Sequence, residues 1–299
     1  MRWRTVGLAL PPLAVALAAA WVMLRPAPRS AATLLDSRPV ITIGTEGAYP
    51  PWNFTRADGT LDGFEPELIR NLCGRAGLRC QMVAMDWDGM IGALHARKID
   101  LIADSVQITP SRREVVAFTR PYAQTTGIFV GARDGVLANM PDRGLVLNFD
   151  KSSPAVNAAI ARLRDALRGK VIGVEISGAY DLFINRYLKN VVTIKYYHTM
   201  GERDLDLLNG RLDVALEDAA YMGPLLATHE GAALRMVGPE VIGGDMGKGE
   251  ALALRPDDHA LKARFDAAIG AALADGTIHR LDLKWFDMDA RPPAGDAQP

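Results

Sequence analysis

The feature that most constrains the fold is a regular alternation of strand and helix patterns. Short apolar runs and amphipathic stretches predict strands over 39–44, 81–84 and 101–103, with helices over 67–76 and 88–97 between them. This βαβαβ order predicts a parallel sheet, because a helix must cross its face between successive strands. Similar βα units recur over 170–226, which indicates an α/β protein with a second lobe.

The third predicted strand runs directly into a helix start that carries a candidate anion site. Thr109 is a suitable N-cap, and Pro110 fits the first helical position, where a missing N–H costs nothing. Arg112 then falls in the first turn, where its guanidinium and the free backbone N–H groups suit a carboxylate. The alternative is a solvated first-turn arginine, and this stretch alone does not separate the two.

Polar residues follow several predicted strands, at the edge of a parallel sheet where ligands bind. They are Glu46 after the first strand, Asp104 and Ser105 after the third, Glu175 and Ser177 in the second block, and Asp218 after a later strand. One arginine among several carboxylates suits a zwitterion with an additional positive group. Arg112 would take the ligand carboxylate and Asp218 its ammonium. Glu46 or Asp104 would hold the distal cation.

These residues also have purely structural interpretations. Asp218 would then cap the helix that follows it, and Asp104 would cap a helix or pair with an arginine. Tyr49, Trp52 and Trp87 offer flat faces for stacking or cation–π contact with a ligand. Both tryptophans also suit the hydrophobic core.

Charge and motifs argue against several other functions. The formal net charge is −1 and no basic run occurs, so we expect no nucleic-acid partner. The sequence carries no P-loop or dinucleotide fingerprint, and its histidines are scattered outside any recognisable motif. We therefore predict no catalytic residue, no cofactor and no metal site.

The N-terminal residues indicate export. Residues 1–32 combine Arg2 and Arg4 with a long apolar stretch and a small-residue end, the pattern of a secretory signal peptide. The apolar stretch is also long enough for an uncleaved membrane anchor. In an exported chain, Cys73 and Cys80 are expected to pair, with two free buried thiols as the alternative. Residues 290–299 form a polar, proline-bearing tail that we predict to be disordered.

Several motifs together resemble a known family. They are the stretches 45–54, 63–68, 108–112, 118–122 and 274–277. These resemble the polar amino-acid solute-binding proteins of ABC importers, and the cysteine spacing is similar to the disulfide of the lysine/arginine/ornithine- and histidine-binding members. Glu46 to Tyr49, together with Asp86 to Asp88, is most similar to the arginine/ornithine- and opine-binding branch.

The resemblance implies a two-lobed, hinged periplasmic binding protein fold of type II, with a mainly parallel sheet in each lobe. Lobe 1 would comprise 38–124 and 253–289, and lobe 2 would comprise 125–252. The chain would cross between lobes near 124–131 and return near 250–254. A monomeric periplasmic protein would then capture a cationic amino acid or an opine by hinge closure and deliver it to a membrane permease.

The resemblance also implies a set of ligand-binding residues. They are Arg112, Asp218, Glu46, Tyr49, Trp87 and Ser105, and we expect Asp104, Gln107, Ser177, Ala179 and Tyr180 to contact the ligand as well. Three places at the site depart from the family pattern: Asp104 stands where Ser or Ala is usual, Gln107 stands where Ser or Thr is usual, and the loop 176–179 is altered. These departures affect the neighbours of the arginine clamp. The stretch 148–168 is also longer than usual.

Two other functions remain open at this point. The periplasmic cyclohexadienyl dehydratases resemble this fold, and Glu175 or Asp104 would be their proton donor if burial raises the pKa. A sensor held at the membrane by an uncleaved N-terminal segment is the second alternative.

Overall fold

Two mixed sheets and their covering helices organise the chain. The computed structural model describes residues 40–151 and 153–295, so the predicted signal segment, 1–32, lies outside the described residues. The strands are β1 (Val40–Thr45), β2 (Ala48–Tyr49), β3 (Asn53–Thr55), β4 (Leu61–Asp62), β5 (Arg79–Ala84), β6 (Leu101–Ile102), β7 (Ala117–Phe118), β8 (Gly127–Ala132), β9 (Val146–Asn148), β10 (Val171–Glu175), β11 (Thr193–Tyr197), β12 (Val214–Asp218), β13 (Leu234–Ile242) and β14 (Ala253–Leu254).

Helices cover both sheets. The α-helices are α1 (Phe64–Ala76), α2 (Met90–His95), α3 (Pro110–Arg113), α4 (Pro154–Ala166), α5 (Ala179–Tyr187), α6 (Met200–Leu208), α7 (Ala219–Ala227), α8 (His259–Ala274) and α9 (Thr277–Trp285). Short 3₁₀ turns occur at Trp87–Gly89, Glu230–Ala233 and Gly244–Met246. Among the residues of both described ranges, no helix is long and apolar enough to cross a membrane.

The first sheet has the strand order β5-β1-β6-β14-β7. Strand β1 pairs in parallel with both β5 and β6, as the βαβαβ pattern predicts. The strand β14, which comes from near the C-terminus, adds antiparallel to β6. Helices α8 and α9 then pack against α1 on this lobe.

The second sheet has the order β11-β10-β12-β8-β13-β9. Its β10, β11 and β12 are parallel, whereas β8 runs antiparallel to β12 and to β13. The mixed α/β, two-lobed fold is therefore confirmed. In both sheets, the strands that carry polar residues at their carboxyl ends lie in the parallel part.

Two chain segments that connect the lobes lie side by side. The backbone N–H of Glu250 donates to the carbonyl of Ala123 at 2.8 Å, and the N–H of Tyr122 donates to the carbonyl of Glu250 at 3.0 Å. Glu250 lies within the predicted return segment, 250–254, and Ala123 lies one residue before the predicted first crossing, 124–131. The largest buried cluster includes residues of both lobes, such as Trp52 and Tyr221.

Several local predictions need correction. Helix α1 begins at Phe64 rather than at 67, and the helix predicted over 88–97 is a 3₁₀ turn followed by the short α2. Strand β13 was not predicted at all, because Gly238 and Pro239 interrupt its apolar run. The register with β8 shifts at this point, between Met236 and Glu240.

The predictions for the two cysteines and for the C-terminal tail had different outcomes. A disulfide joins Cys73 in α1 to Cys80 in β5, which confirms the pairing. In contrast, Ala290 does not belong to a disordered tail. It is buried, and its carbonyl accepts a hydrogen bond from the Gln124 N–H at 2.6 Å. Disorder of the last residues, 296–299, is a prediction that lies outside the described residues.

Candidate ligand-binding site

A cavity lies where the carboxyl ends of the parallel strands of the two lobes meet. Its lining residues are Glu46, Tyr49, Trp87, Asp104, Ser105, Gln107, Arg112, Val174, Glu175, Gly178, Ala179, Tyr180 and Glu217. All the residues predicted from the sequence as ligand contacts are present, except Asp218 and Ser177. The space between the side chains is small, with room for about one water molecule.

Arg112 is held at this cavity by a well-capped helix start. The hydroxyl of Thr109 accepts a hydrogen bond from the Arg112 backbone N–H at 3.1 Å, as predicted, and Pro110 follows the cap. The guanidinium donates to the carbonyl of Gln107 at 3.1 Å and to that of Ser177 at 3.2 Å. It also lies over the Trp87 ring, 4.8 Å from the ring centroid.

The charge of Arg112 is buried without a close counter-ion. Its residue exposure is 7%, and within the described part of the chain its guanidinium contacts carbonyl and amide oxygens and an aromatic ring but no carboxylate at ion-pair distance. Burial lowers the pKa of Arg112 to about 10, against the opposing influence of Glu175 and Asp104. It stays charged at neutral pH, and a ligand carboxylate would supply the missing partner.

Two further polar groups at the cavity lack partners. The Ser105 hydroxyl and the Trp87 indole N–H are buried and form no hydrogen bond with any residue that the structure describes. Buried polar groups left unpaired cost about 1–3 kcal/mol each. Ser105 also has a left-handed backbone, with φ of 45°, and its N–H is held by the Glu65 carboxylate at 2.7 Å. Unpaired donors and a strained backbone together are typical of a binding site.

Four carboxyl groups, those of Glu46, Asp104, Glu175 and Glu217, also line the cavity. Burial and the nearby Glu217 raise the pKa of Glu46 to about 7. Burial, followed by Glu217 and Glu46, raises the pKa of Glu175 well above its usual value. Each carboxyl resists ionisation because others lie close and water is excluded. A cation placed among them would favour their ionised forms.

Asp104 supports the neighbouring loop. Its Oδ1 accepts hydrogen bonds from the Glu46 N–H at 2.9 Å, the Asn53 side chain at 2.8 Å and the Thr45 hydroxyl at 3.3 Å. Burial, followed by the charge of Glu65, raises the pKa of Asp104 well above its usual value. Asp104 therefore neither caps a helix nor pairs with an arginine.

Asp218, which was predicted to take a ligand ammonium, lies behind the cavity wall and caps a helix. Asp218 has 0% exposure and does not line the cavity. Its Oδ1 caps α7 by accepting from the backbone N–H groups of Ala220 at 2.8 Å and Tyr221 at 3.1 Å, and its Oδ2 accepts from the Thr125 hydroxyl. Successive residues of a strand face opposite sides, so Glu217 faces the cavity instead.

Ser177 and Trp52 do not line the cavity either. The Ser177 side chain is exposed, and only its carbonyl reaches Arg112. Trp52 has no exposed surface and packs against Phe286 with a centroid separation of 4.5 Å. Trp52 is therefore a core residue, in agreement with the structural interpretation.

Glu217 is a cavity residue that the sequence analysis missed. It accepts hydrogen bonds from the Tyr49 hydroxyl and from the Asp218 N–H, both at 2.8 Å, and it pairs with Arg203. Arg203 also pairs with Asp204 at 2.7 Å. The position of Glu217 beside Asp218 was the available signal, whereas nothing in the sequence pointed to Arg203.

Comparison with known proteins assigns this chain to a family. The profile of the bacterial extracellular solute-binding proteins, family 3, matches residues 41–288. The chain belongs to this family. Two of its relatives are the octopine-binding periplasmic protein of Rhizobium meliloti and the L-arginine-binding protein of Pseudomonas aeruginosa. The first is 38% identical, covering 84% of this chain and 92% of the relative, and the second is 32% identical, covering 86% and 91%.

A solved structure of a related protein supports the assignment of this chain to family 3. It is a periplasmic His/Glu/Gln/Arg/opine family-binding protein from Silicibacter pomeroyi in complex with lysine. The two are 31% identical, with a TM-score of 0.67 that covers 85% of this chain and 100% of the other. The protein is thus an extracytoplasmic solute-binding protein, and its named relatives are binding proteins rather than enzymes.

Proposed function

We propose that this protein captures a cationic amino acid, or an opine derived from one, and delivers it to the permease of an ABC importer. The observation that carries this proposal is Arg112, a buried cation without a close counter-ion at a cavity whose lining also includes four carboxyl groups. Relatives named for octopine and arginine support the same ligand class.

The proposed ligand orientation follows from the charges. The carboxylate binds the Arg112 guanidinium, and the unpaired Ser105 hydroxyl donates to it as well. The positive groups lie towards Glu46, Glu175 and Glu217. Charge-assisted hydrogen bonds of this kind contribute about 1.5–3 kcal/mol each, which would account for most of the selectivity.

Capture requires movement of the lobes. The Arg112 guanidinium reaches the Ser177 carbonyl, and Tyr49 reaches Glu217, so contacts already join the two sides of the cavity. The remaining space is too small for an amino acid. We propose that the lobes separate about the paired segments at Ala123 and Glu250, admit the ligand and close over it.

Calorimetric titration tests the ligand class. We expect heat and a thermal shift with at least one of arginine, ornithine, lysine and octopine, and loss of both in Arg112→Ala. The matched control is Arg113→Ala, since Arg113 is the next residue and is exposed. A protein that responds to none of the four ligands, or an Arg112→Ala variant that binds as the parent does, would contradict the proposal.

We further propose that the protein is periplasmic and monomeric after removal of residues 1–32. The sequence pattern of that segment supports cleavage. Mass spectrometry of the native N-terminus would distinguish a cleaved signal peptide from the retained anchor that a membrane-bound sensor needs. An intact N-terminus would contradict the proposed cleavage.

One observation favours a second candidate, a dehydratase-like enzyme. Glu175 lies at the cavity with a strongly raised pKa, as a general acid would need. Incubation with prephenate, followed by detection of phenylpyruvate, tests this candidate. Product formation that Glu175→Gln abolishes would support the enzyme, and absence of product would reject it.

A further inference from the structure

Three side chains suited to metal binding meet near the C-terminal end of the described chain. His279 and Asp282 are three residues apart on α9 and therefore share a face of the helix. Asp289 follows the helix and returns to the same place. One donor atom from each residue lies within 4.8 Å of the other two. None of the three lines the ligand cavity.

Asp282 is the residue that distinguishes this group from an ordinary acidic cluster. It has 0% exposure, and neither carboxylate oxygen meets the full geometric criteria for a hydrogen bond to the residues that the structure describes, although the Ala290 N–H and the Arg291 charge lie near it. The Nδ1 atom of His279 is likewise buried without such a bond, 3.6 Å from an Asp289 oxygen. A carboxylate buried in this way needs a proton or a cation.

We propose that His279, Asp282 and Asp289 bind a divalent transition-metal ion of the Zn²⁺ class. One imidazole nitrogen and two carboxylate oxygens suit Zn²⁺, with a water at the fourth position. Mg²⁺ and Ca²⁺ prefer ligand sets made of oxygen alone. The sequence analysis predicted no metal site because only the fold brings Asp289 to the other two residues.

Arg291 also pairs with Asp289 and should lower the affinity of the site for a metal ion. Its guanidinium donates to both oxygens of Asp289, at 2.8 Å and 2.6 Å. An ion must share Asp289 with this arginine, so its binding is weaker than at three unshared ligands. The ion would fasten the segment after α9 to that helix. That segment reaches the first crossing between lobes through the hydrogen bond from Gln124 to Ala290.

Zinc titration of the whole purified protein, without a histidine tag and after EDTA treatment, tests the site. We expect one Zn²⁺ per chain by calorimetry, a higher melting temperature, and a visible d–d spectrum with Co²⁺. Asp282→Asn and His279→Gln should each weaken Zn²⁺ binding by at least about tenfold. His198→Gln is the matched control, because His198 also lies 3.6 Å from an aspartate but is exposed.

Two results of the metal titrations would contradict the proposal or part of it. Retention of full Zn²⁺ binding by both variants would place the ion elsewhere, for example among the cavity carboxyls, and would overturn the proposal. An equal response to Ca²⁺ would overturn the assignment of metal class. His279→Gln changes a half-exposed side chain, so it keeps the test decisive even if Asp282→Asn folds poorly. Ligand binding by the parent protein is measured separately and does not affect this result.

Discussion

Two buried arginines near the same cavity have opposite electrostatic surroundings. Arg203 has 0% exposure and is paired with Glu217 and Asp204. Arg112 has 7% exposure and is held by two carbonyl groups and an aromatic ring. The fold therefore satisfies one guanidinium internally and leaves the charge of the other for a ligand. Burial alone does not distinguish a structural arginine from a binding arginine, whereas the charge of its partners does.

The largest expected effect is on stability, in Arg203→Met. Removal of Arg203 leaves two buried carboxylates unpaired, so the free energy of unfolding should fall by about 3–5 kcal/mol. In Arg112→Met it should fall by less, because the lost contacts are hydrogen bonds to two carbonyl groups and no ion pair. Urea unfolding of the ligand-free variants measures both. Equal destabilisation by the two substitutions would remove the distinction between the arginines.

A smaller effect is expected on the pH dependence of ligand binding. Glu46, with its pKa near 7, is ionised above that pH and protonated below it. A cation favours the ionised form, so affinity for arginine should be about tenfold weaker at pH 6 than at pH 8. Arg112 keeps its charge over this range, since its pKa is about 10.

The control for this pH dependence is Glu46→Gln. This variant should bind less tightly at pH 8 and should lose the change in affinity that Glu46 contributes between pH 6 and pH 8. Isothermal titration calorimetry at several pH values provides the comparison. If the affinity of the variant changed with pH as the affinity of the parent does, another carboxyl, such as Glu175, would be the titrating group. That result would contradict the role given to Glu46.

The sequence was informative where the decisive contacts are local. Thr109, Pro110 and Arg112 form one short capped turn, and its geometry was predictable from residue type and order. The same holds for the turn that begins with Glu46, whose position follows from the end of β1. The resemblance to family motifs then predicted that these two segments, which are far apart in the chain, belong to one ligand-binding site.

The sequence was less informative where tertiary packing decides. Glu217 and Asp218 are adjacent acids, and only the orientation of β12 determines which one faces the cavity. Arg203 meets Glu217 because α6 packs against the second sheet, and no spacing rule predicts that contact. In the same way, Asp289 reaches α9 only after the chain turns back.

The central claim is that Arg112 binds the ligand carboxylate, and a double-mutant cycle tests it most directly. Arginine and agmatine, which lacks the carboxylate, are titrated by calorimetry into the parent protein and into Arg112→Met. The parent should prefer arginine by at least about 30-fold, equivalent to about 2 kcal/mol. Arg112→Met should lose this preference while it binds agmatine at least as tightly as the parent does. The same preference for arginine in both proteins would contradict the claim.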